Sequence, residues 1–229
     1  MDDFSKKAVV MAIAIVCLTI AIISSFSMGN VVYPIKSILK NDKNENYISK
    51  NVDENTQDAI NDDILQTVKS GASGAVCIEM SSRRILCEDG KDEVCYPAST
   101  TKVLTALIAI ERLPLDKVVT VPKIAEGVEG SSIYLKAGDT ITVEDLLFGL
   151  MLRSGNDAAV TLATEVAGGI DEFASLMNEK AKTLGAHNSH FVNPHGLHDD
   201  NHYTTAYDLA LICAAAYENP DFARIVGTK

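Results

Sequence analysis

The pattern of apolar and polar positions predicts a β-hairpin followed by a series of helices. Residues 75–80 and 85–88 are two mainly apolar arms around a polar stretch, as in an antiparallel hairpin. A long apolar helix is predicted to begin at Ser99 and to end before Pro114, since proline cannot continue a helix. Four further helices are predicted over about 142–152, 157–168, 171–184 and 205–219, with Asp171 as the cap of the third. Two strands before a helix-rich region indicate an α+β fold whose sheet is incomplete.

The first 30 residues have the layout of an export signal. Lys6 and Lys7 precede residues 8–23, in which Thr19 is the one residue that is not apolar. A lysine pair before such a run is typical of a secretory signal, and its mostly apolar continuation would also allow an uncleaved membrane helix. Because the lysines come first, the positive-inside rule places the rest of the chain outside the cytoplasm. We therefore expect residues 1–30 to be a signal peptide or an N-terminal membrane anchor.

Residues 31–63 are predicted to be a polar, acidic linker. The stretch 41–63 contains seven acidic residues and six asparagines, and it has too few apolar side chains to offset the entropy of folding. Residues 64–229 then form the globular domain, which is long enough to bury a hydrophobic core. The whole chain has a formal net charge of −11 at pH 7. This charge argues against nucleic acid as a partner, since a duplex-binding protein normally presents a basic face.

Ser99 and Lys102 are the first candidate catalytic pair. Their spacing places both on one face of a helix, where the lysine amine can meet the serine hydroxyl. A serine hydroxyl becomes a good nucleophile when a neighbouring base takes its proton, and a lysine held neutral by burial is such a base. Free backbone N–H groups at a helix start also favour an oxyanion. The alternative is that Ser99 is an N-cap and Lys102 is a solvated residue of the first turn.

Longer stretches around this pair extend the pattern. The sequence around Ser99 reads YPASTTKVLTAL, and LRSGNDAA follows at residues 152–159. These stretches resemble the S-x-x-K and S-x-N motifs of the penicillin-binding, serine-type D-Ala-D-Ala carboxypeptidases. FVNPHGL at 191–197 and HYTTAYDL at 202–209 also resemble stretches of that family. The resemblance runs from residue 75 to the C-terminus, about two-thirds of the chain.

The resemblance implies a role for each matched residue. Ser99 would be the acylated nucleophile, with Lys102 as its general base. Ser154 would relay a proton to the leaving group, and Asn156 would bind an amide of the substrate; without the first motif, these two residues would be ordinary turn residues between helices. The implied fold is β-lactamase/DD-peptidase-like, a helical cluster packed on an antiparallel sheet, and no cofactor is expected. The implied partners are a peptidoglycan stem peptide ending in D-Ala-D-Ala, β-lactams as covalent inhibitors, and the membrane through the N-terminal segment.

The third motif of that family, K-T-G, is missing from this sequence. In the family it lies on a strand beyond the second motif and helps to bind the terminal carboxylate of the substrate. Residues 227–229 read GTK, which is a different order and does not count. We therefore expect the C-terminal strands to be missing, which leaves turnover by this chain open. One alternative is a membrane-tethered β-lactam-binding or sensor domain that is acylated without turnover. Another is a serine β-lactamase, although no E-x-x-L-N stretch is present.

The histidines provide a remote alternative, a zinc hydrolase. Five of them lie close together with two aspartates, namely His187, His190, His195, His198, His202, Asp199 and Asp200. Imidazoles and carboxylates can ligate zinc, and a zinc-bound water is hydrolytic. Their spacing matches no helical motif such as H-E-x-x-H, and the sequence NPHG at 193–196 is typical of a turn. Ordinary loop histidines are therefore the favoured interpretation.

The cysteines leave one question open. Cys77 and Cys87 lie on opposite arms of the predicted hairpin, and an exported location permits a disulfide. Their pairing depends on strand register, which decides whether the two Cβ atoms face each other. Cys95 lies near Ser99 but has no histidine placed in sequence to activate it. Cys17 lies in the apolar N-terminal run, where it is expected to behave as a small apolar side chain, and Cys213 is predicted to be a core residue on the apolar face of a helix.

Overall fold

The computed structural model describes residues 70–228, which lie within the part of the chain predicted to be globular. The predicted export segment, the polar linker and the first few residues of the domain lie outside the described residues. Within residues 70–228, none of the helices combines the length and the apolar character that crossing a lipid bilayer requires.

Six short strands in the described region form three antiparallel pairs. Their bounds are β1 (Ala75–Ile78), β2 (Ile85–Asp89), β3 (Val94–Cys95), β4 (Val118–Thr120), β5 (Thr140–Thr142) and β6 (Thr204–Thr205). β1 pairs with β2, β3 with β6 and β4 with β5. The predicted hairpin is confirmed as β1–β2. The β3–β6 pair joins the segment before Ser99 to a segment far along the chain.

The described region also contains six α-helices and two short 3₁₀ turns. The helices are α1 (Lys102–Arg112), α2 (Val143–Arg153), α3 (Asn156–Ala167), α4 (Ile170–Thr183), α5 (Ala206–Glu218) and α6 (Pro220–Val226). The predicted helix at Ser99 is present as the 3₁₀ turn Ala98–Thr101 followed directly by α1. The other four predicted helices are confirmed as α2 to α5. α6 was not predicted: Pro220 does end α5, but it also occupies the first turn of a new helix that Asn219 caps.

Two of the predicted helix starts are confirmed by side-chain caps, and one is wrong. Thr142 Oγ1 accepts a hydrogen bond from the Asp145 N–H at 3.1 Å, which begins α2. Thr205 Oγ1 accepts one from the Asp208 N–H, also at 3.1 Å, at the start of α5. Asp171 is not a cap, because α4 begins after Gly169 without any side-chain cap. Asp171 lies in the first turn instead, where its charge favours the positive end of the helix dipole.

α1 is the central helix of the hydrophobic core. Leu107 shares one buried cluster with Leu147 of α2 and Leu162 of α3. Leu104, one turn earlier in α1, shares a second cluster with Phe173 of α4. Burying a side chain of this kind stabilises the fold by about 2 kcal/mol, so α1 is held firmly from several sides. The first turn of α1 is therefore a rigid support for the residues it carries.

The hairpin packs on α5 through one face. Val76 and Ile78 of β1 are buried against the alanines of α5, among them Ala206, Ala210 and Ala214. Small side chains on the helix allow the strand pair to approach closely. This contact confirms the expected α+β arrangement, in which helices pack on antiparallel strands.

The segment 184–203 joins α4 to β6 and passes the start of α1. Asn178 fixes one point of it, because its side chain exchanges hydrogen bonds of 2.7 and 2.8 Å with the main chain of Phe191. Gly196 fixes another point with a φ of +86°, and a Cβ there would lie 1.8 Å from the carbonyl oxygen of Ala98. Both the backbone conformation and this close approach require glycine at position 196.

We expect Gly196→Ala to destabilise the protein much more than Gly168→Ala. Gly168 ends α3 with the same φ of +86°, but a Cβ there would meet nothing within 4 Å. The control substitution should therefore cost about 1 kcal/mol of unfolding free energy, the strain of a left-handed alanine. Gly196→Ala should cost about 2 kcal/mol more, because two backbone segments must separate. Urea unfolding of both variants measures the difference, and equal losses would contradict the close approach.

Candidate active site

Ser99 and Lys102 lie next to each other at the start of α1, one exposed and one buried. Ser99 lies in the 3₁₀ turn and is exposed. Lys102 lies beneath it and is buried, with an exposed fraction of only 2%. Lys102 Nζ lies 3.3 Å from Ser99 Oγ and 2.8 Å from the carbonyl oxygen of His195, and it donates to both. Neither the 3₁₀ turn nor α1 has a side-chain cap. The alternative in which Ser99 is an N-cap and Lys102 is solvated is therefore wrong.

Burial sets the charge state of this lysine. It lowers the pKa of Lys102 to about 8, because the interior disfavours an ammonium ion. The pKa of His195 is lowered to about 4, first by burial and then by the charges of Lys102 and His202. His195 is thus neutral at pH 7. The site therefore holds one amine that can lose its proton near neutral pH, beside an imidazole that adds no positive charge.

The chain turns sharply just before Ser99. Ala98 has a φ of +48°, in the left-handed region that is unfavourable for an alanine by about 1 kcal/mol. Thr100 Oγ1 donates to the carbonyl oxygen of Pro97 at 2.6 Å, which closes the turn from the other side. This turn projects Ser99 away from the core while Lys102 points into it.

The second motif forms the turn between α2 and α3. Ser154 ends α2 in the left-handed conformation, with a φ of +57°. Asn156 begins α3, and its main-chain N–H donates to the carbonyl oxygen of Ser131 at 2.7 Å. The side-chain Nδ2 of Asn156 donates to the carbonyl oxygen of Glu129 at 2.6 Å. The loop 129–135 is thus attached directly to the second motif.

Gly130 lies between Asn156 of the second motif and Leu197 of the segment 184–203. A Cβ on Gly130 would lie 2.7 Å from Asn156 Nδ2 and 3.9 Å from Leu197 Cδ2. Leu197 belongs to the same turn as His195, whose carbonyl oxygen accepts from Lys102. The turn at 193–197, which supplies the acceptor for Lys102, therefore lies close to the loop that contacts Asn156.

Asp157 organises the loop 129–135 from below. Its carboxylate accepts from Ser132 Oγ at 2.7 Å and from the main-chain N–H groups of Ile133 and Leu135 at 3.0–3.1 Å. Burial raises the pKa of Asp157, but the hydrogen bonds from Ser132, Leu135, Ile133 and Ala158 together outweigh it and leave the pKa below its ordinary value. A buried, ionised carboxylate thus clamps the loop beside Asn156.

Two of these contributors were not found by sequence reasoning. The acceptor for Lys102 is the main-chain carbonyl of His195, and a main-chain group cannot be recognised from the residue type. The predicted turn at 193–196 is the one sequence feature that relates to it. That turn exists, since Asn193 Oδ1 accepts from the N–H of Gly196 at 2.7 Å. Asp157 was interpreted as a residue at a helix start, and its spacing gives no indication of its contacts with loop 129–135.

The histidines have separate structural contacts. His202 is buried between Thr101 and Val192: its Nδ1 accepts from the Val192 N–H at 3.1 Å, so Nε2 carries the proton and donates to Thr101 Oγ1 at 2.8 Å. Burial lowers the pKa of His202 to about 4, against the opposing effect of Asp199. His198 is exposed and packs edge-on against Tyr96. Within residues 70–228, no three histidine, cysteine or acidic side chains are grouped so as to hold a metal ion.

Sequence comparison identifies relatives for most of the chain. The family model for D-alanyl-D-alanine carboxypeptidase matches residues 59–229. D-alanyl-D-alanine carboxypeptidase DacF of Bacillus subtilis is 36% identical over 162 residues, which cover 69% of this chain and 42% of that protein. D-alanyl-D-alanine carboxypeptidase DacB2 of Mycobacterium tuberculosis is 40% identical over 152 residues, which cover 66% of this chain and 52% of that protein. The chain thus spans about half the length of the curated relatives it matches.

Solved structures show the same fold. The D-alanyl-D-alanine carboxypeptidase DacD of Francisella tularensis superposes with a TM-score of 0.68 at 34% identity, covering 71% of this chain and 41% of that one. A mutant of the Streptomyces K15 DD-transpeptidase superposes with a TM-score of 0.67 at 33% identity, covering 71% of this chain and 67% of that one. These matches confirm the expected DD-peptidase-like fold.

We expect Asp157→Asn to reduce the unfolding free energy at pH 7 by about 2 kcal/mol, because buried donors lose a charged acceptor. The pKa of Asp157 is lowered in the folded state, so its stabilising contribution is complete above the ordinary value of 3.8. That contribution is lost as the pH falls below this value towards the folded-state pKa. The deficit of the variant should therefore shrink in acid.

Urea unfolding of wild type and variant at pH 7 and at a pH below 3.8 measures this change. The matched control is Asp200→Asn, because the Asp200 side chain is 91% exposed. It should stay within about 0.5 kcal/mol of wild type at either pH. A deficit of Asp157→Asn that is the same at both pH values would contradict an ionised clamp.

Proposed function

This chain belongs to the D-alanyl-D-alanine carboxypeptidase family, and we propose on that premise that the whole protein removes the terminal D-alanine from peptidoglycan stem peptides. One observation carries the proposal, the exposed Ser99 Oγ placed 3.3 Å from the buried Lys102 Nζ. The reaction would pass through an acyl-serine intermediate, with no cofactor. Its role would be in cell-wall metabolism, and through it in cell shape.

In the acylation step, Ser99 Oγ would attack the carbonyl carbon between the two D-alanines. Its proton would pass to Lys102 Nζ, and the C–N bond to the terminal D-alanine would then break. With a pKa of about 8, about a tenth of the Lys102 side chains are neutral at pH 7. The His195 carbonyl supports this role because it accepts from the amine and so fixes its direction. A base with a pKa near the working pH is the most effective one.

Ser154 and Asn156 would act on the substrate side of the reaction. Ser154 would relay the proton to the nitrogen of the departing D-alanine, and Asn156 would bind an amide of the stem peptide. The left-handed turn at Ser154 and the loop attached to Asn156 support these roles, since both hold a polar group in a defined position. The main-chain N–H of Ser99, in the 3₁₀ turn before α1, would help to stabilise the oxyanion.

The fate of the acyl-enzyme separates the main proposal from its rivals. Water releases the shortened peptide in a carboxypeptidase, whereas a DD-transpeptidase, the name of one structural neighbour, transfers the acyl group. β-Lactams would acylate the same Ser99. A sensor domain would remain acylated and would release neither a shortened peptide nor a transfer product. Membership of the carboxypeptidase family favours turnover by the whole protein.

The location of the whole protein is part of the proposal. Residues 1–30 would direct export, and if they are not cleaved they would anchor the protein in the membrane. Residues 31–63 would hold the catalytic domain away from the extracytoplasmic face of the cell membrane. The domain would thereby reach the cell-wall substrate. The lysine pair before the apolar run supports this orientation.

We expect one β-lactam to bind covalently to each chain, at Ser99. Intact-mass measurement of the 229-residue chain after incubation with benzylpenicillin should show a single adduct, and peptide mapping should place it on the Ser99 peptide. Ser99→Ala should abolish the adduct, because the nucleophile is gone. The control Ser175→Ala, which removes an exposed helix serine bonded to the Asp171 carbonyl, should leave it unchanged.

An adduct that persists in Ser99→Ala would contradict the assignment of the nucleophile. Turnover is tested separately with an acyl-D-Ala-D-Ala peptide, with and without an added amine acceptor, by measuring released D-alanine and the acyl product. D-alanine release without an acceptor supports a carboxypeptidase. Adduct formation without any release, also in a protein extended to the length of its relatives, would favour the sensor.

We expect the rate of acylation to rise with pH up to about 8 and then to level off. The amine must be neutral to accept a proton, and the pKa of Lys102 is lowered to about 8 by burial. Below that pH the rate should therefore fall about tenfold per pH unit. Lys102→Ala should reduce the rate at least 100-fold, a typical contribution of a general base (about 10²–10⁴). Acylation reactions that are quenched at a series of times and analysed by mass spectrometry measure the rate at each pH.

The control for this profile is Lys123→Ala. Lys123 is an exposed lysine that pairs with Glu126, and its side chain is 82% exposed. Its removal should change neither the plateau nor the midpoint. A profile of the wild type that is flat between pH 6 and pH 9 would show that Lys102 is not the base.

A further inference from the structure

The β1–β2 pair places two cysteines directly opposite each other. Cys77 and Cys87 are Cα partners in this antiparallel pair. Opposite Cα atoms on antiparallel strands lie about 4.5–5.5 Å apart, within the range of about 4.4–6.8 Å that a disulfide spans. Directly opposed side chains also point to the same face. The strand register, which the sequence left open, therefore satisfies the main geometric condition for a bridge.

The two thiols lie on the face of the hairpin that is turned away from α5. Val76, which precedes Cys77 in the part of β1 before the register shift between Cys77 and Ile78, is buried against α5, so alternation along the strand turns Cys77 the other way. Both cysteines are half-buried and thus partly accessible to a reagent. The pKa of the Cys77 thiol is raised by burial, and the charge and a hydrogen bond of Cys87 add to this effect. The strand register places these two thiol groups side by side.

The other described cysteines have no such partner position. Cys95 of β3 lies opposite Thr204 of β6. Cys213 lies on α5, where burial raises the pKa of its thiol to about 11 and so disfavours the reactive thiolate. Among residues 70–228, the register selects Cys77 and Cys87 for pairing.

We propose that Cys77 and Cys87 form a redox modification site, at which a disulfide reagent closes a cross-strand bridge over the β1–β2 hairpin. One cysteine thiolate attacks a sulfur of the reagent, forms a mixed disulfide and releases the first thiol. The second cysteine thiolate then attacks the protein sulfur of the mixed disulfide and releases the second thiol. The two cysteines lose two hydrogens in total, and the reagent is reduced to two thiols.

The bridge stabilises a region that leads to Ser99. The hairpin covers α5, whose capping residue Thr205 belongs to β6, and β6 pairs with the strand just before Ser99. A bridge between β1 and β2 restricts the unfolded chain and should raise the unfolding temperature. The proposal rests on the strand register and on the partial exposure of the two thiols, and it does not depend on the function proposed above.

The test treats the full chain with oxidised glutathione and analyses it by tryptic mapping without reduction. Trypsin cleaves at Arg83 and Arg84, between Cys77 and Cys87, and at Lys91, between Cys87 and Cys95. The expected product is a linked pair of peptides containing Cys77 and Cys87, which separates on reduction. Cys77→Ser and Cys87→Ser should each abolish it, and the matched control Cys95→Ser should retain it.

Other products would overturn the proposal. These are glutathione adducts on Cys77 or Cys87 that do not resolve into a bridge, and bridges from either cysteine to Cys95 in the folded chain. Equal yield of the Cys77–Cys87 link in urea would show that the folded register does not direct the reaction. The oxidised wild type should also unfold at a higher temperature than its reduced form, and an unchanged or lower temperature would show that the hairpin does not accommodate the bridge.

Discussion

The site depends on burying one lysine amine beneath an exposed serine. Removing an ammonium ion from water costs free energy, and a protein lowers this cost by releasing the proton or by supplying an acceptor. Lys102 shows both responses, a pKa lowered to about 8 and a hydrogen bond of 2.8 Å to the His195 carbonyl. The rigid packing of α1 holds the amine in place. The same burial that destabilises the charged lysine therefore makes it a suitable base for Ser99.

The hydrogen-bond acceptor of Lys102 comes from a distant part of the chain, the His195 carbonyl. The turn in the segment 184–203 brings this carbonyl to the start of α1. Asn193 folds its turn, and Gly196 lets the turn approach the Ala98 carbonyl more closely than any side chain would permit. His202 then joins Thr101, next to Lys102, to the main chain of Val192. Because burial keeps His202 neutral, this link adds no charge beside the amine. Polar groups at the site are thus paired without a second cation.

The helices and the two serine motifs could be predicted because their signals are local. Thr142 and Thr205 cap their helices through the next few residues, and the spacing of Ser99 and Lys102 alone places them on one face. The sequence does not indicate contacts that depend on tertiary packing. The carbonyl of His195 carries no signature, and Asp157 forms its bonds with residues 132–135, on a loop that no periodic pattern describes. Asp171 was predicted to cap its helix, but the helix begins two residues earlier, with Gly169 in the capping position. A local signal can therefore give the wrong start of a helix.

Strain at the two motifs explains why short motifs need a whole domain around them. Ala98, just before the first serine, and Ser154, the second serine, both have left-handed backbones that cost about 1 kcal/mol each. Such conformations persist only where surrounding contacts outweigh their cost. The turn at Gly196 supplies these contacts beside Ala98, and Asp157 holds the loop that flanks the second motif. The reactive arrangement is therefore a property of the folded domain, since an isolated motif would relax to an unstrained turn.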